Sequence, residues 1–443
     1  MRLLFYLLPA LLPALAAPTG STDDGDDCDL SDETEKLNIN EVNDGPTDDG
    51  SAGIGVEFES PWFYFKSDGC SADDTNAAKK ELVAGRKGDN WMLTADTGAG
   101  TSKLQAEYIV DGRKVKVGKG TAQTAGKEIA EDLRKWSPWT GRKGGKKVYL
   151  TVANNKCNPW YIDSPGPDDD ADNVPWEPQV TAPMPLEAVY YLMKLQQAAL
   201  DKNTASTNVL TGSPVRFADD FVLVTKQYFT SKPNGIDPNT ITDDVLAFCS
   251  LVLTYAKNAK YKMSGDQSPK FFTSFMPRND FTTLYNVVQD KLKGDLWDLV
   301  NTLACYKRKV TKENKIVTKS GLVLDKEFCS GTLAKPVPGS KLSGLQYENA
   351  NANVEAGKTM SIKSWVENMK TNDLLRQFDQ YIDGSLGGLG TRMETMYNSD
   401  RKAPLFEFRD IPDKKTSEIE QYMADVDKEI QTLHDKYKSA PAS

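Results

Sequence analysis

Two short runs, far apart in the chain, carry the residues with the most chemistry in them. Gly55-Val56-Glu57-Phe58-Glu59 and Leu405-Phe406-Glu407-Phe408-Arg409 each alternate apolar and charged side chains, the period-two pattern of a half-buried strand. In such a strand Glu57 and Glu59 point to one side, as do Glu407 and Arg409. With both runs in one sheet, three carboxylates and a guanidinium would share a face. Glu57 and Glu59 are hard oxygen ligands of the kind that hold Mg2+ together with substrate phosphates. An arginine opposite them, Arg409, would neutralise phosphoryl charge. Spacing alone favours a plainer alternative, the solvated outer face of two ordinary strands.

The histidine count removes many other chemistries. The chain has 1 histidine, His434, in a terminal helical stretch where it reads as a surface residue. Ser-His-Asp and Cys-His nucleophile systems, and most zinc hydrolases, need a histidine near the body. Phosphate-loop motifs also fail. Gly118-Lys119-Gly120 is followed by Gln123 where the third glycine of the dinucleotide fingerprint belongs, and there is no G-x-x-x-x-G-K-[ST]. Weaker candidates are an anion cradle at Gly387-Gly388-Leu389-Gly390, a Ca2+ loop at Asp168-Asp169-Asp170 with Asp172, and a basic cluster at Lys307-Arg308-Lys309. The second reads more simply as a solvated acidic loop and the third as a solvated helix end. That basic cluster lacks the interleaved aromatics of a nucleic-acid surface, so nucleic acid is not an expected partner.

The elements that must position these residues mix strands and helices. Strand patterns occur at 55–59, 62–65, 91–96 and 148–152. Ala106–Val110 and Arg113–Val117 flank Asp111-Gly112, which predicts a type I′ hairpin. A short helix is expected over 76–83 and another around Ile129 and Leu133. After a Pro- and Asp-rich crossing at 158–185, helices dominate: one from Pro185 with Glu187 in its first turn, one opening at Thr242-Asp243-Asp244, and one carrying Phe281, Leu284, Tyr285 and Val288. The segment 413–443 reads as one amphipathic helix with a capping box at Ser417 and Glu420 and an apolar stripe from Ile419 to Tyr437. The fold class expected is α+β, with a mostly antiparallel sheet and packed helices.

Composition fits a globular body, with 39% hydrophobic and 26% charged residues. The net charge of −9 comes from one place. Residues 21–50 hold twelve carboxylates against Lys36 alone, so 17–50 reads as a disordered acidic segment and the globular body, 51–412, is nearly neutral. At the start, Arg2, the apolar run from Leu3 to Leu8 and Ala14-Leu15-Ala16 read as a signal peptide over 1–16, hence a secreted protein. The longest later apolar run, Val245–Leu253, is too short to span a bilayer, and no stable membrane insertion is expected. With six cysteines on an oxidising route, disulfides are expected. The favoured pair is Cys305–Cys329, around a hairpin with strands near Ile316–Thr318 and Leu322–Leu324. Cys70–Cys157 is second, Cys249 reads as a free core thiol, and Cys28 lies in the acidic segment.

The strand Gly55–Glu59 resembles the opening strand of the amidoligases, relatives of glutamate–cysteine ligase and glutamine synthetase. Trp91-Met92-Leu93-Thr94-Ala95-Asp96 resembles their second strand, Val180-Thr181-Ala182-Pro183-Met184-Pro185-Leu186 is similar to their Ser-Pro-Pro-Leu segment, and Phe406-Glu407-Phe408-Arg409 looks like their final Glu-Phe-Arg strand, with a C-terminal helix after it. The resemblance implies an amidoligase-like fold across the body. Glu57 and Glu59 would bind Mg2+, Arg409 would contact ATP phosphate, and Glu407 would support the site while ATP activates a carboxylate for attack by an amine. Leader, acidic segment and disulfide-capable body together resemble a secreted fungal effector or toxin-like protein directed at a host target. Two alternatives stay open: an active ATP- and Mg2+-dependent amide ligase, and a non-catalytic binding protein.

Overall fold

The alternation at 55–59 belongs to a longer strand, β1 (Gly55–Lys66), whose Val56, Phe58, Phe63 and Phe65 are all buried. A register shift between Glu59 and Tyr64 resets the phase, so that Glu57, Glu59, Tyr64 and Lys66 all stand on the less buried side. The computed structural model describes residues 49–98, 102–135, 147–163, 170–202, 204–212, 222–230, 232–258, 274–308, 322–325, 328–329, 341–348, 359–370 and 390–439. The expected leader, nearly all of the acidic segment, Cys28, Asp168, Asp169 and Gly387–Leu389 lie outside the described residues.

In chain order, β1 is followed by β2 (Leu82–Lys87), β3 (Trp91–Gly98), β4 (Lys103–Val110), β5 (Pro175–Pro183), β6 (Met393–Thr395) and β7 (Lys402–Phe408). They form one antiparallel sheet in the order β6–β7–β5–β1–β4–β3–β2. The α+β class with a mostly antiparallel sheet is therefore what the chain adopts. Helix α1 (Thr121–Arg134) and the terminal helix α6 (Ile419–Tyr437) cover one face. Tyr422 meets Phe58 edge to face at 6.2 Å, Tyr108 donates to Asp132 at 2.7 Å, and Trp91 Nε1 donates to Glu128 at 2.9 Å. The α6 stripe of Ile419, Tyr422, Met423, Val426, Ile430 and Leu433 is buried, as its period requires. Its capping box lies two residues earlier than the sequence suggests: Glu418 accepts from the Lys415 backbone N–H at 2.8 Å. The two helices approach closely at Gly126, where a Cβ would lie 3.0 Å from the Ile419 carbonyl oxygen.

The second half packs helices α2 (Leu186–Asp201), α3 (Asp243–Asn258), α4 (Phe281–Val288) and α5 (Leu296–Ala304) beside the sheet. The apolar run in α3 is buried, including the free Cys249, whose thiol burial pushes up to about 12. Among the described residues no helix is long and apolar enough to cross a membrane. Glu187, in the first turn of α2, is held by Arg401 with 2.9 Å bonds to both carboxylate oxygens, and the same guanidinium donates to the Tyr437 carbonyl at the end of α6. Both expected disulfides form, Cys70–Cys157 and Cys305–Cys329, with Cα separations of 5.4 and 5.1 Å.

Several local expectations are corrected. Leu322–Leu324 pairs with Tyr306–Arg308, while the expected partner 316–318 lies outside the described residues. The helix expected over 76–83 is Ala72–Asn76, capped by Ser71, and Leu82 already begins β2. Asp111-Gly112 does not turn a hairpin. The Asp111 carboxylate accepts from the Arg113 N–H at 2.9 Å, and the loop then runs beside residues 52–54, through Ile54 N to Val115 O at 2.9 Å and Val117 N to Ala52 O at 3.0 Å. Gly53 and Gly112 pass so closely that a Cβ on Gly53 would collide with the Gly112 carbonyl. His434 is fully buried, not on the surface. Tyr397 N–H donates to its Nδ1 at 2.9 Å, which leaves the proton on Nε2, 2.8 Å from the Pro183 carbonyl. Burial holds its pKa below the usual value, against the pull of the Pro183 bond.

Because α6 covers the centre of the sheet, a chain truncated after Pro412 should lose its cooperative thermal transition; a melt like the full chain's would show that α6 is dispensable. Met423→Ala, at a fully buried position, should cost about 2–4 kcal/mol in denaturant unfolding.

Candidate metal centre

The strands β1 and β7 are not neighbours; β5 lies between them. Glu57 pairs with Gln179 and Glu59 with Glu177 on one edge of β5, while Glu407 pairs with Thr181 on the other. Antiparallel register then sets Arg409 level with Gln179, so Glu57, Glu59, Glu407 and Arg409 share the face opposite α1 and α6. The structure thus brings all four sequence-derived residues to one face, with Gln179 as the bridge.

On the other side of β1, Glu59 is in register with Glu107 of β4. Glu57, Glu59 and Glu107 each present a carboxylate oxygen, and these atoms lie within 4.8 Å of one another. Glu107 is fully buried. It accepts from Thr94 Oγ1 at 3.0 Å and from Lys80 Nζ at 3.1 and 3.0 Å. The same ammonium reaches Asp96 at 3.1 Å, with 33% of the Lys80 side chain still exposed. Gln179 Nε2 donates to Glu59 Oε1 at 2.9 Å. Its own Oε1 is buried without a hydrogen-bond partner, which fixes the amide by what it gives to Glu59.

Burial is the first cause of the electrostatics here. It raises Glu59 to about 7, helped by repulsion from Asp96 and Glu57 and opposed by Lys80 and Arg409. Glu57 is raised by burial, with Lys80 pulling down and Glu407 pushing up. Glu107 is raised well above the ordinary carboxylate range by burial and then by Glu57. Burial works against the charge on Lys80, yet Glu107, Glu57 and Asp96 outweigh it and hold the ammonium above its usual pKa. Lys80 therefore stays charged, and one cation faces four carboxylates. Hard oxygens at this spacing match the donor set of Mg2+ or Mn2+.

The arginine side is built differently. Glu407 is buried, with one oxygen 2.5 Å from Arg409 Nη1 and the other 3.6 Å from Arg278 Nη1. Arg409 remains half-buried on the charged face; burial disfavours its charge, but Glu407, Glu59 and Glu57 raise its pKa further. Glu407 therefore anchors arginines, and Arg409 is the group placed to meet an anion.

Glu107, Lys80, Asp96, Arg278 and Gln179 complete the site, and the sequence reading assigns none of them a role. Glu107 follows the period of β4 but looks like an ordinary polar hairpin residue. Lys80 lies in a turn read as helix, with a left-handed φ of 63°. Arg278 follows a three-residue strand, Phe275–Pro277, that pairs with β7. The weaker candidates have structural roles: Asp170 caps a short turn through Asp172 N, Asp172 pairs with Arg134 at 2.7 Å, and Lys307 lies 3.4 Å from Asp325.

No family model matches the chain, and no curated protein matches it. Two solved structures are similar. One is a point mutant of a VgrG toxin ACD domain from Vibrio cholerae, in complex with ADP and Mn++, at 13% identity and a TM-score of 0.36 over 84% of this chain and 97% of that one. The other is a Vibrio cholerae toxin of the MARTX/VgrG family, at 13% identity and a TM-score of 0.32 over 84% and 96%. At these values neither likeness bears on function.

The raised Glu59 pKa sets a pH dependence. Below its unfolded value near 4.5 the group is protonated in both states; as pH rises toward about 7 the unfolded chain ionises first, so stability falls. Across pH 5 to 8 the cation-free protein should lose about 1–3 kcal/mol, Glu59→Gln should flatten the loss, and millimolar Mn2+ should restore stability at pH 8 more than at pH 5. Thermal melts with and without Mn2+ check it; a melt indifferent to Mn2+ at pH 8 would rule the cation out.

Proposed function

We propose that the charged face is the site of an ATP- and Mg2+-dependent carboxylate–amine ligase, used by a secreted, toxin-like protein. The observation that carries the proposal is the placing of three carboxylates, Glu57, Glu59 and Glu107, within 4.8 Å of one another on the face that also holds Arg409. Glu57, Glu59 and Glu107 would hold the cation. Gln179 keeps one oxygen of Glu59 engaged and so sets which oxygen is free to ligate. Lys80 limits the repulsion among the carboxylates. Arg409, oriented by Glu407, would take phosphate oxygens, with Arg278 supporting Glu407 from the other side. A bound divalent cation would supply the positive charge that polarises a phosphoryl group and brings the nucleotide to this face. The site residues and their order along the chain agree with the amidoligase resemblance, in which ATP activates a carboxylate for attack by an amine.

The extracellular setting rests on separate features. Two disulfides are uncommon in a reducing compartment, and the leader-like first sixteen residues point the same way. A protein target in a host organism is the partner this setting fits.

Calorimetric titration of ATP in the presence of Mg2+ tests the ligase reading. Wild type should bind, and Glu57→Gln and Glu107→Gln should each weaken cation-dependent binding by about tenfold or more, as loss of a metal ligand does. Arg409→Gln should weaken ATP but not free Mn2+. An absence of ATP binding by wild type would end the proposal.

A further inference from the structure

Both carboxylate oxygens of Glu107 are engaged by one side chain. Lys80 Nζ lies 3.1 Å from Oε1 and 3.0 Å from Oε2, and Thr94 Oγ1 also donates to Oε2 at 3.0 Å. Yet Glu107 supplies one of the three oxygens that lie within 4.8 Å of one another with those of Glu57 and Glu59. A divalent ion seated among the three would meet the ammonium at an oxygen it needs, and positive charges at that range repel strongly. The ammonium and the ion compete for one carboxylate.

The placing of Lys80 suits release. Its backbone is fixed: Lys80 N donates to the Ala95 carbonyl, and Ala95 N donates to the Glu81 carbonyl at 3.2 Å, so the turn is tied to β3. A φ of 63° is one that a lysine keeps only where its surroundings hold it. The side chain is held less firmly. It is 33% exposed, whereas that of Glu107 is fully buried, so rotation about its four-carbon stem carries the ammonium toward water without moving the turn. Asp96, 3.1 Å from the same Nζ, is a carboxylate outside the trio whose contact the ammonium can keep on leaving Glu107. Thr94 stays bonded to Glu107 and preserves its orientation. Displacement then removes one contact and leaves the geometry of the carboxylates intact.

A tethered ammonium sets a threshold for whatever replaces it. Being part of the chain, it is present at high effective concentration and loses little freedom on binding. A monovalent ion brings no more charge than the ammonium does and must also shed water to bind. A divalent ion brings twice the charge to the same hard oxygens. Only the second has an advantage over the lysine.

We infer that Lys80 determines the charge selectivity of this site: its ammonium occupies Glu107 until a divalent ion displaces it, and monovalent ions do not. The inference rests on the reading of Glu57, Glu59 and Glu107 as cation ligands. It is tested by titrating Mn2+ calorimetrically into the full chain, once in K+ and once in a tetramethylammonium salt of equal ionic strength. Wild type should bind Mn2+ equally in both salts. Lys80→Gly, which suits the left-handed backbone, and Lys80→Gln should each bind Mn2+ about fivefold or more tightly than wild type in tetramethylammonium, and more weakly once K+ competes. A lysine that only steadied the carboxylates would give the opposite sign, with weaker Mn2+ binding on substitution. In wild type itself, acylation of Lys80 by an amine reagent, read by mass spectrometry, should rise as Mn2+ saturates. The inference is overturned if both variants bind Mn2+ no tighter than wild type, if wild type and variants respond alike to K+, or if Lys80 labelling stays constant while Mn2+ binds; each of these leaves the cation reading standing. Absence of Mn2+ binding by wild type and variants alike would end the cation reading and this inference together.

Discussion

Three glutamates crowded on the less buried face of β1 and β4 are the constraint to which much of this molecule answers. Two ionised carboxylates at 4.8 Å repel by about 3 kcal/mol at an effective dielectric near 20, and Glu107 meets this while wholly removed from water. A fold keeps such an arrangement only where other groups offset it. Lys80 does part of that from a backbone turn that places its ammonium between Glu107 and Asp96. Gln179 donates to Glu59, and Arg409 adds positive charge from two strands away. What remains is a set of carboxylates on rigid strands whose raised pKa values favour holding protons, which a divalent cation would displace with little rearrangement of the site.

The opposite face explains why the strands can hold this charge. Phe58, Tyr108, Val180 and Phe406, which alternate with the charged positions, are buried, and α1 and α6 close over that side. Because side chains alternate, a slip of one residue in β1 would put Glu57 and Glu59 in the core and Phe58 in water. Hydrophobic burial on one side therefore fixes the phase of the carboxylates on the other. Outlying segments are tied to the same frame: His434 joins α6 to the end of β5 and to Tyr397, and Arg401 joins α6 to α2.

What the sequence discloses follows from the range of the interactions involved. The period of 55–59 and 405–409, the stripe of α6, the N-terminal proline of α2 and both cysteine pairs were legible because each is local or compositional. The joint placement of the two runs on one sheet was a condition in the spacing argument and was supported by the amidoligase resemblance, since a shared period does not encode pairing. The insertion of β5 between β1 and β7 was not legible, because strand order depends on long-range pairing that no local pattern encodes. Glu107 was hidden for a related reason: a glutamate in the polar phase of a strand looks identical whether that face meets water or two other glutamates. Asp111-Gly112 misled because its turn preference is satisfied by an Asx turn, while residues 52–54 take up the backbone bonds that a hairpin partner would have used. His434 misled because a neutral imidazole with an acceptor and a donor in reach is as easily buried as a small polar amide.

Glu407 shows how the two sequence runs divide the work. It sits in the same phase as Glu57 and Glu59, yet its oxygens face Arg409 and Arg278. Among the described carboxylates of this face it is the one held between two guanidiniums, whereas Glu107 shares its oxygens with the single ammonium of Lys80, which a bound cation would have to displace. Its neighbourhood makes it a support for arginine, while the lack of any arginine that close to Glu57, Glu59 and Glu107 among the described ion pairs leaves those three for a cation. One alternating pattern thus yields two chemistries, and the difference lies in which neighbour the sheet order supplies. Gln179, standing between the two groups on β5, is the neutral spacer that lets negative and positive halves share a face without collapsing onto each other.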